Sequence, residues 1–313
     1  MIFDNARISL IVGGALLLFL GVLPFFISDR FLISSLTVTL LFSLFGAAWD
    51  LTYGVGGLPN FGPGVPFGVG AFSLAMLAHH GYSPPIAFLL AGIAGASTGI
   101  IFWIPSIRAA GGYLALLTII LLLLAGDIAL VQTGEEGLSI GIKYFAPSVL
   151  ESYYEAFALS AASMFLLFGI KQSKFGLRLR AMRDDEIAAK SVAIKVIYFK
   201  LIVFVISSLF LAFAGAYYVL YTSSVNYQIF SFTNNFLGVA VGVIGGVGTI
   251  FGSLIGALLV ELPSLYLLSY GSYSLILYGS TMIVIMLFWR AGALNGIVAL
   301  VQRFSKKTEE KES

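Results

Sequence analysis

Cysteine is absent from these 313 residues. That excludes disulfides, thiolate metal sites and a cysteine nucleophile. Histidine occurs only as the adjacent pair His79 and His80. Neighbouring helical positions point to different faces, so the pair reads as surface residues rather than as metal ligands. Charge is scarce too. Only 10% of residues are Asp, Glu, Lys or Arg, against about 25% in soluble domains. Seventeen basic and 15 acidic residues leave +2, too little for a broad basic surface, so no nucleic-acid partner is expected. In their place stand 59% hydrophobic residues and a mean hydropathy of +1.00. A spanning helix needs about 20 apolar residues, and this chain has room for many.

Apolar runs lie near 8–27, 31–49, 65–79, 85–104, 113–131, 155–170, 200–220, 236–250, 252–268 and 273–289. They predict an all-α polytopic integral membrane protein with about eight to ten transmembrane helices. The first run is read as an uncleaved helix, because no small-x-small cleavage pattern follows it. Residues 1–304 form one transmembrane domain; 305–313, SKKTEEKES, read as a charged, disordered cytoplasmic tail. Thirteen of the 17 basic residues fall in 171–200 or beyond 289. The positive-inside rule puts both regions, and with them the termini, on the cytoplasmic side. The acidic stretch with Glu135, Glu136, Glu151 and Glu155 then lies outside.

Two features suggest a task. The stretch GLRLRAMRDDEIAAKSVAIK, 176–195, alternates apolar with charged positions. It predicts one or two short amphipathic helices at about 171–199. A solvated positive loop is the bland reading; a docking element for a cytoplasmic partner is the sharper one. The compact acids Asp184, Asp185 and Glu186 favour the second, since positive-inside placement needs no acids. The other feature is interruption. Six glycines lie between 242 and 256, and three prolines between 59 and 66. Each cluster predicts a broken or re-entrant helix, tolerated at membrane depth only where it is buried or lines a cavity. Paired interruptions point to a translocation site. No GxxxxGK[ST] motif occurs.

Intramembrane ionisable candidates are Asp50, Asp127 and Glu261. The first two are expected near helix ends where water reaches them. Glu261 alone lies well inside a run, where it is read as capping a broken helix or facing a partner subunit.

Several blocks, in order along the chain, carry a resemblance. GLPNFGPGVPFGVGAF at 57–72, GGYLALLT at 111–118, TGEEGLSIGI at 133–142, the 175–196 loop with RAMRDDEIAA, the 243–256 glycine run and the 277–296 stretch resemble segments of the branched-chain amino acid ABC importer permease family, of the LivM-like kind. The sequence departs from that pattern at Asn60, Pro66, Ala193 (for a loop glycine) and Ala291.

The resemblance implies a permease subunit without a catalytic, metal or cofactor site, the ATP being bound by partner subunits. It implies partnership with cytoplasmic ATPase subunits, a second, LivH-like permease subunit and an extracytoplasmic substrate-binding protein, all in the cytoplasmic membrane. Arg180, Arg183, Asp184, Asp185, Glu186, Ala188 and Ala189 would then meet the ATPase. Asn60, Gly62, Gly68, Gly70, Tyr113, Gly245, Gly246 and Gly248 would line the path. Rivals are the same machine carrying urea, an amide or a sugar, and an ion-coupled secondary transporter. A membrane-embedded enzyme lacks a plausible residue set.

Overall fold

The computed structural model describes residues 2–27, 29–139, 148–267, 280, 292–294 and 296. The expected run at 273–289 and the tail at 305–313 lie largely or wholly outside them. Eleven helices of six residues or more follow one another within residues 2–267. They are α1 (Ile2–Val22), α2 (Arg30–Asp50), α3 (Gly64–His79), α4 (Pro84–Ser106), α5 (Gly112–Thr133), α6 (Val149–Gln172), α7 (Lys174–Asp184), α8 (Glu186–Ser191), α9 (Val196–Thr222), α10 (Phe232–Gly246) and α11 (Gly252–Leu267). A two-residue antiparallel pairing of Leu138–Ser139 with Ser224–Val225 is the sole strand contact among the described residues.

Six of these helices are long and apolar enough to cross a membrane; α3, α10 and α11 are apolar but shorter. The chain is an all-α, multi-pass membrane protein. Start signals are local. Asp29 accepts from the amide of Phe31 at 2.9 Å to open α2, and Ser148 with Glu151 forms a reciprocal capping box at α6. Hydroxyls inside the spans satisfy themselves: Thr37, Thr39 and Ser43 donate to carbonyls three or four positions back, which removes the cost of a bare hydroxyl in an apolar medium.

Helix α2 is the axis of the bundle. In an 18-residue apolar stretch of its span through Val55, 78% of residues are buried, against 22% in the corresponding stretch of α5. It is flanked by α6, α9, α10 and α11. Small residues set the closest approaches: beside Gly70, Gly95, Gly99 and Gly215 the space for a side chain is taken by atoms of α9 or α3, as expected where packing rather than water expulsion joins helices.

Both interruptions are structural. Helix α2 runs into one π-helical turn, Leu51–Val55, and the chain then travels without regular structure to α3. The glycine-rich run folds as a hairpin, α10 and α11 packed together around a turn at 247–251. With 15 and 16 residues each arm is about 23 Å long, short of the ~30 Å hydrocarbon core.

Candidate functional site

At one end of the bundle α6 leads into α7 and α8. Ser173 caps α7 by accepting from Phe175 and Gly176. Leu179 and Met182 then turn inward and are buried. Asp185 interrupts the two helices in an extended conformation and caps α8, accepting from Ile187 at 2.8 Å and Ala188 at 3.0 Å. Ala189 is buried. The outward positions include Leu177, Ile187 and Val192, which are 62%, 81% and 69% exposed. Three large aliphatic side chains thus stand free on a charged loop.

Two ionic anchors tie this loop to the bundle. Glu186 bonds Lys190 at 2.9 Å and Lys200 at 3.0 Å. Lys200 is buried in α9 and also donates to the carbonyl of Ser106, at the end of α4, at 3.0 Å. Partial burial pushes the Glu186 carboxyl up, but the hydrogen bonds and charges of Lys190 and Lys200 outweigh it and hold the group below its ordinary value. The second anchor is Arg183. Its Nη1 donates to the carbonyl of Gly54, in the π-helical turn, at 2.6 Å, and its stem fills the space beside Gly57, whose φ is +67°. It also pairs with Asp184 at 3.3 Å.

Gly54 is itself a junction. Asp50 and the backbone of Gly248 occupy the space where a Cβ would stand. Asp50 accepts from the amide of Gly248 at 2.6 Å and from that of Ile250 at 3.0 Å. Thus the α7 helix, the break after α2 and the α10–α11 turn meet through three main-chain contacts.

The opposite end holds a cavity of about 540 Å³. It opens among Glu136, Asn226 and Gln228 and reaches down to Phe42, Phe45, Phe67 and Leu237, with Glu261 in its wall. It adjoins the end of α9, whereas the loop adjoins the start. The 27 residues of α9 make that separation about 40 Å. Among the described residues no group of three His, Cys, Asp or Glu side chains could hold a metal.

The family described as branched-chain amino acid transport system / permease component matches residues 8–286. The chain belongs to that family. It is 28% identical to the high-affinity branched-chain amino acid transport system permease protein LivM of Salmonella typhimurium and 27% identical to that of Escherichia coli. Each match covers 90% of this chain and 73% of the relative. No solved structure matches the chain. The family is one of transport permeases, not enzymes.

Within this permease the residues expected at the ATPase contact fall into two groups. Arg180, Asp184 and Ala188 face outward or partly so, whereas Asp185 caps α8, Arg183 and Glu186 tie the loop to the bundle, and Ala189 is packed away. The residues expected along the path sit apart from the cavity lining. Asn60 is buried, its side chain accepting from Gly62 at 3.0 Å and its carbonyl from the Trp49 indole at 2.6 Å. Gly68 packs on Phe230 and Gly70 on Ala212. Tyr113 is 78% exposed on α5, Gly245 and Gly246 end α10, and Gly248 lies in the hairpin turn.

Two expectations about acids need revision. Asp50 is not water-accessible: it is 2% exposed, because the hairpin folds over it and supplies two amides. Glu261 does not cap a helix break with its carboxylate; it stands within α11 at the cavity wall. Sequence reasoning also passed over Asn235, which bridges α10 to the broken segment by accepting from Gly64 at 2.8 Å and donating to the carbonyl of Phe61 at 2.9 Å. The signal was present, as an amide inside the apolar run FTNNFLGVAVGV. So was Lys200, counted as one more loop cation.

Proposed function

We propose that this chain is the membrane subunit of an ABC importer that moves branched-chain or related amino acids across the cytoplasmic membrane, driven by ATP hydrolysis in partner subunits. One observation carries the reading: a helical loop presents bare Ile187, Val192 and Leu177 outward while Arg183 joins its inner side to the break in α2. An apolar surface of that kind receives a partner, and charges around it set the register. Closure of the ATPase pair pushes α7; Arg183 and Gly54 pass the displacement to α2 and the hairpin; the cavity at the far end alternates between open and closed.

In this arrangement the loop face is cytoplasmic, as its basic residues require, and the cavity faces outward to meet a substrate-binding protein. A second, LivH-like permease subunit completes the path. The aromatic and aliphatic floor of the cavity favours an aliphatic amino acid over urea or a sugar, both of which need polar partners on every side. The ion-coupled alternative gives the α7–α8 surface no task.

The test is uptake of labelled leucine into vesicles holding the assembled transporter and its binding protein. Uptake that requires ATP inside or outside, on the side of the ATPase, supports the reading. Uptake driven by an ion gradient in the absence of ATP overturns it.

A further inference from the structure

Glu261 is 3% exposed and its Oε2 has no hydrogen-bond partner. A carboxylate in apolar surroundings is costly unless a cation or donors meet it. The neighbouring polar groups on the cavity wall do not do so. Asn235 spends both ends of its amide on the backbone of Phe61 and Gly64. Thr222 donates to the carbonyls of Tyr218 and Ser224, and the Ser264 hydroxyl donates to the main-chain carbonyl of Glu261, which leaves Oε2 without a donor. No Lys or Arg lines the cavity among the described residues. Hydrocarbon from Val38, Phe42, Phe45, Phe67 and Leu237 also lines the cavity. The volume of about 540 Å³ lies in the range of small-molecule sites, roughly 300–1,000 Å³.

We infer that Glu261 receives the ammonium group of the solute in this cavity, with the solute's aliphatic chain lying against the Phe42, Phe45, Phe67 and Leu237 wall. The inference rests on the importer reading above and names the residue that selects for a primary amine. A buried carboxylate with one oxygen left without a partner is the complement of an ammonium ion, and apolar lining in the same cavity selects a hydrocarbon tail. Because no basic side chain lines the site among the described residues, the solute's own carboxylate stays toward the open mouth and adds little to binding. An aliphatic amine is therefore held, and the matching aliphatic acid is not.

The absence of native cysteine supplies the test. Thr233→Cys places one thiol on an exposed position of the cavity wall. Its alkylation is followed by peptide mass on this chain within the assembled transporter, without binding protein. L-leucine and 3-methylbutylamine are expected to slow labelling several-fold, and 4-methylpentanoate to leave it unchanged. Adding Glu261→Gln should abolish the protection. The inference is overturned if nothing protects the thiol, if the acid protects as well as the amine, or if protection survives Glu261→Gln. The amine–acid comparison leaves Glu261 intact, so it decides the matter even where the glutamine variant misfolds. Co-purification of the ATPase, read on the same preparation, is independent: its presence with protection absent removes the role of Glu261 and leaves the importer reading standing.

Discussion

Arg183 and Gly54 lie 129 positions apart in the chain, yet the guanidinium of one rests 2.6 Å from the main-chain carbonyl of the other. The bond is made where α2 has already lost regular α-helical geometry, so the carbonyl is free to accept it. On the far side of the same π-helical turn, Gly54 abuts Gly248, whose amide is held by Asp50. A surface helix is thereby joined, through the side chains of Arg183 and Asp50, to the two interrupted elements of the membrane core. In the importer reading this is the route by which force enters the bundle.

If so, Arg183→Ala separates docking from transport. The anchor is a charge-assisted bond of about 1.5–3 kcal/mol at full burial; with the side chain 41% exposed, about 1 kcal/mol is the expected loss of stability. ATPase subunits still co-purify, while uptake per ATP hydrolysed falls several-fold. Paired uptake and hydrolysis rates on reconstituted protein measure this.

Asp50→Asn tests the clasp on the hairpin. One carboxylate oxygen accepts from Gly248 and the other from Ile250. An amide can satisfy only one of those donors and turns its own N–H groups toward the second. The expected cost is about 2–4 kcal/mol, visible as a lower Tm in detergent, with proteolysis or hydrogen exchange rising first at 247–251.

The Glu186 anchor makes the loop sensitive to acid. The folded carboxyl sits below its ordinary value of 4.5. A depressed carboxyl contributes stability that is complete above the unfolded value and disappears as pH falls through the folded one. Protection of the amides at 186–191, taken relative to their intrinsic exchange rate at each pH, should therefore stay constant from neutral pH down to the ordinary carboxyl value and fall below it. Glu186→Gln should show the reduced protection already at neutral pH. Lys200 then stays buried with only the Ser106 carbonyl, so Lys200→Met added to that variant should restore part of the loss.

Ala193 stands where the resemblance has glycine, and its φ is +62°. The left-handed conformation costs a residue with a Cβ roughly 1–2 kcal/mol, while glycine gives back about 0.5–1 kcal/mol through greater freedom when unfolded. Ala193→Gly is expected to gain about 0.5 kcal/mol, a small rise in Tm with transport unchanged. A fall in Tm would mean that the turn after α8 is not held in that conformation.

The spans and both breaks were legible because they are local: apolar runs set the helices, and clustered glycine and proline interrupt them. The amphipathic helices expected within about 171–199 were legible for the same reason, and they form at Lys174–Asp184 and Glu186–Ser191. What escaped is long-range. Asp50 looks like a helix-end acid because its two donors lie 198 and 200 positions away and are main-chain amides, which leave no mark in side-chain chemistry. Lys200 looks like one loop cation among eight, since only the folded α4 end and Glu186 bury it. The cavity escaped because its wall is drawn from α2, α3, α9, α10 and α11 together. Glu261 was singled out, but as a structural acid, because nothing in a linear apolar run says which face meets a void.

The most direct measurement is co-purification from gently solubilised membranes, comparing wild type with Ile187→Asp. This change alters the exposed face of α8 and leaves Arg183, Glu186 and Lys200 paired. An ATPase subunit retained by wild type and lost from the variant, with Tm unchanged, is the predicted result. Folded wild-type protein that brings down no ATPase contradicts the account at its centre, and retention by both proteins moves the docking surface off Ile187.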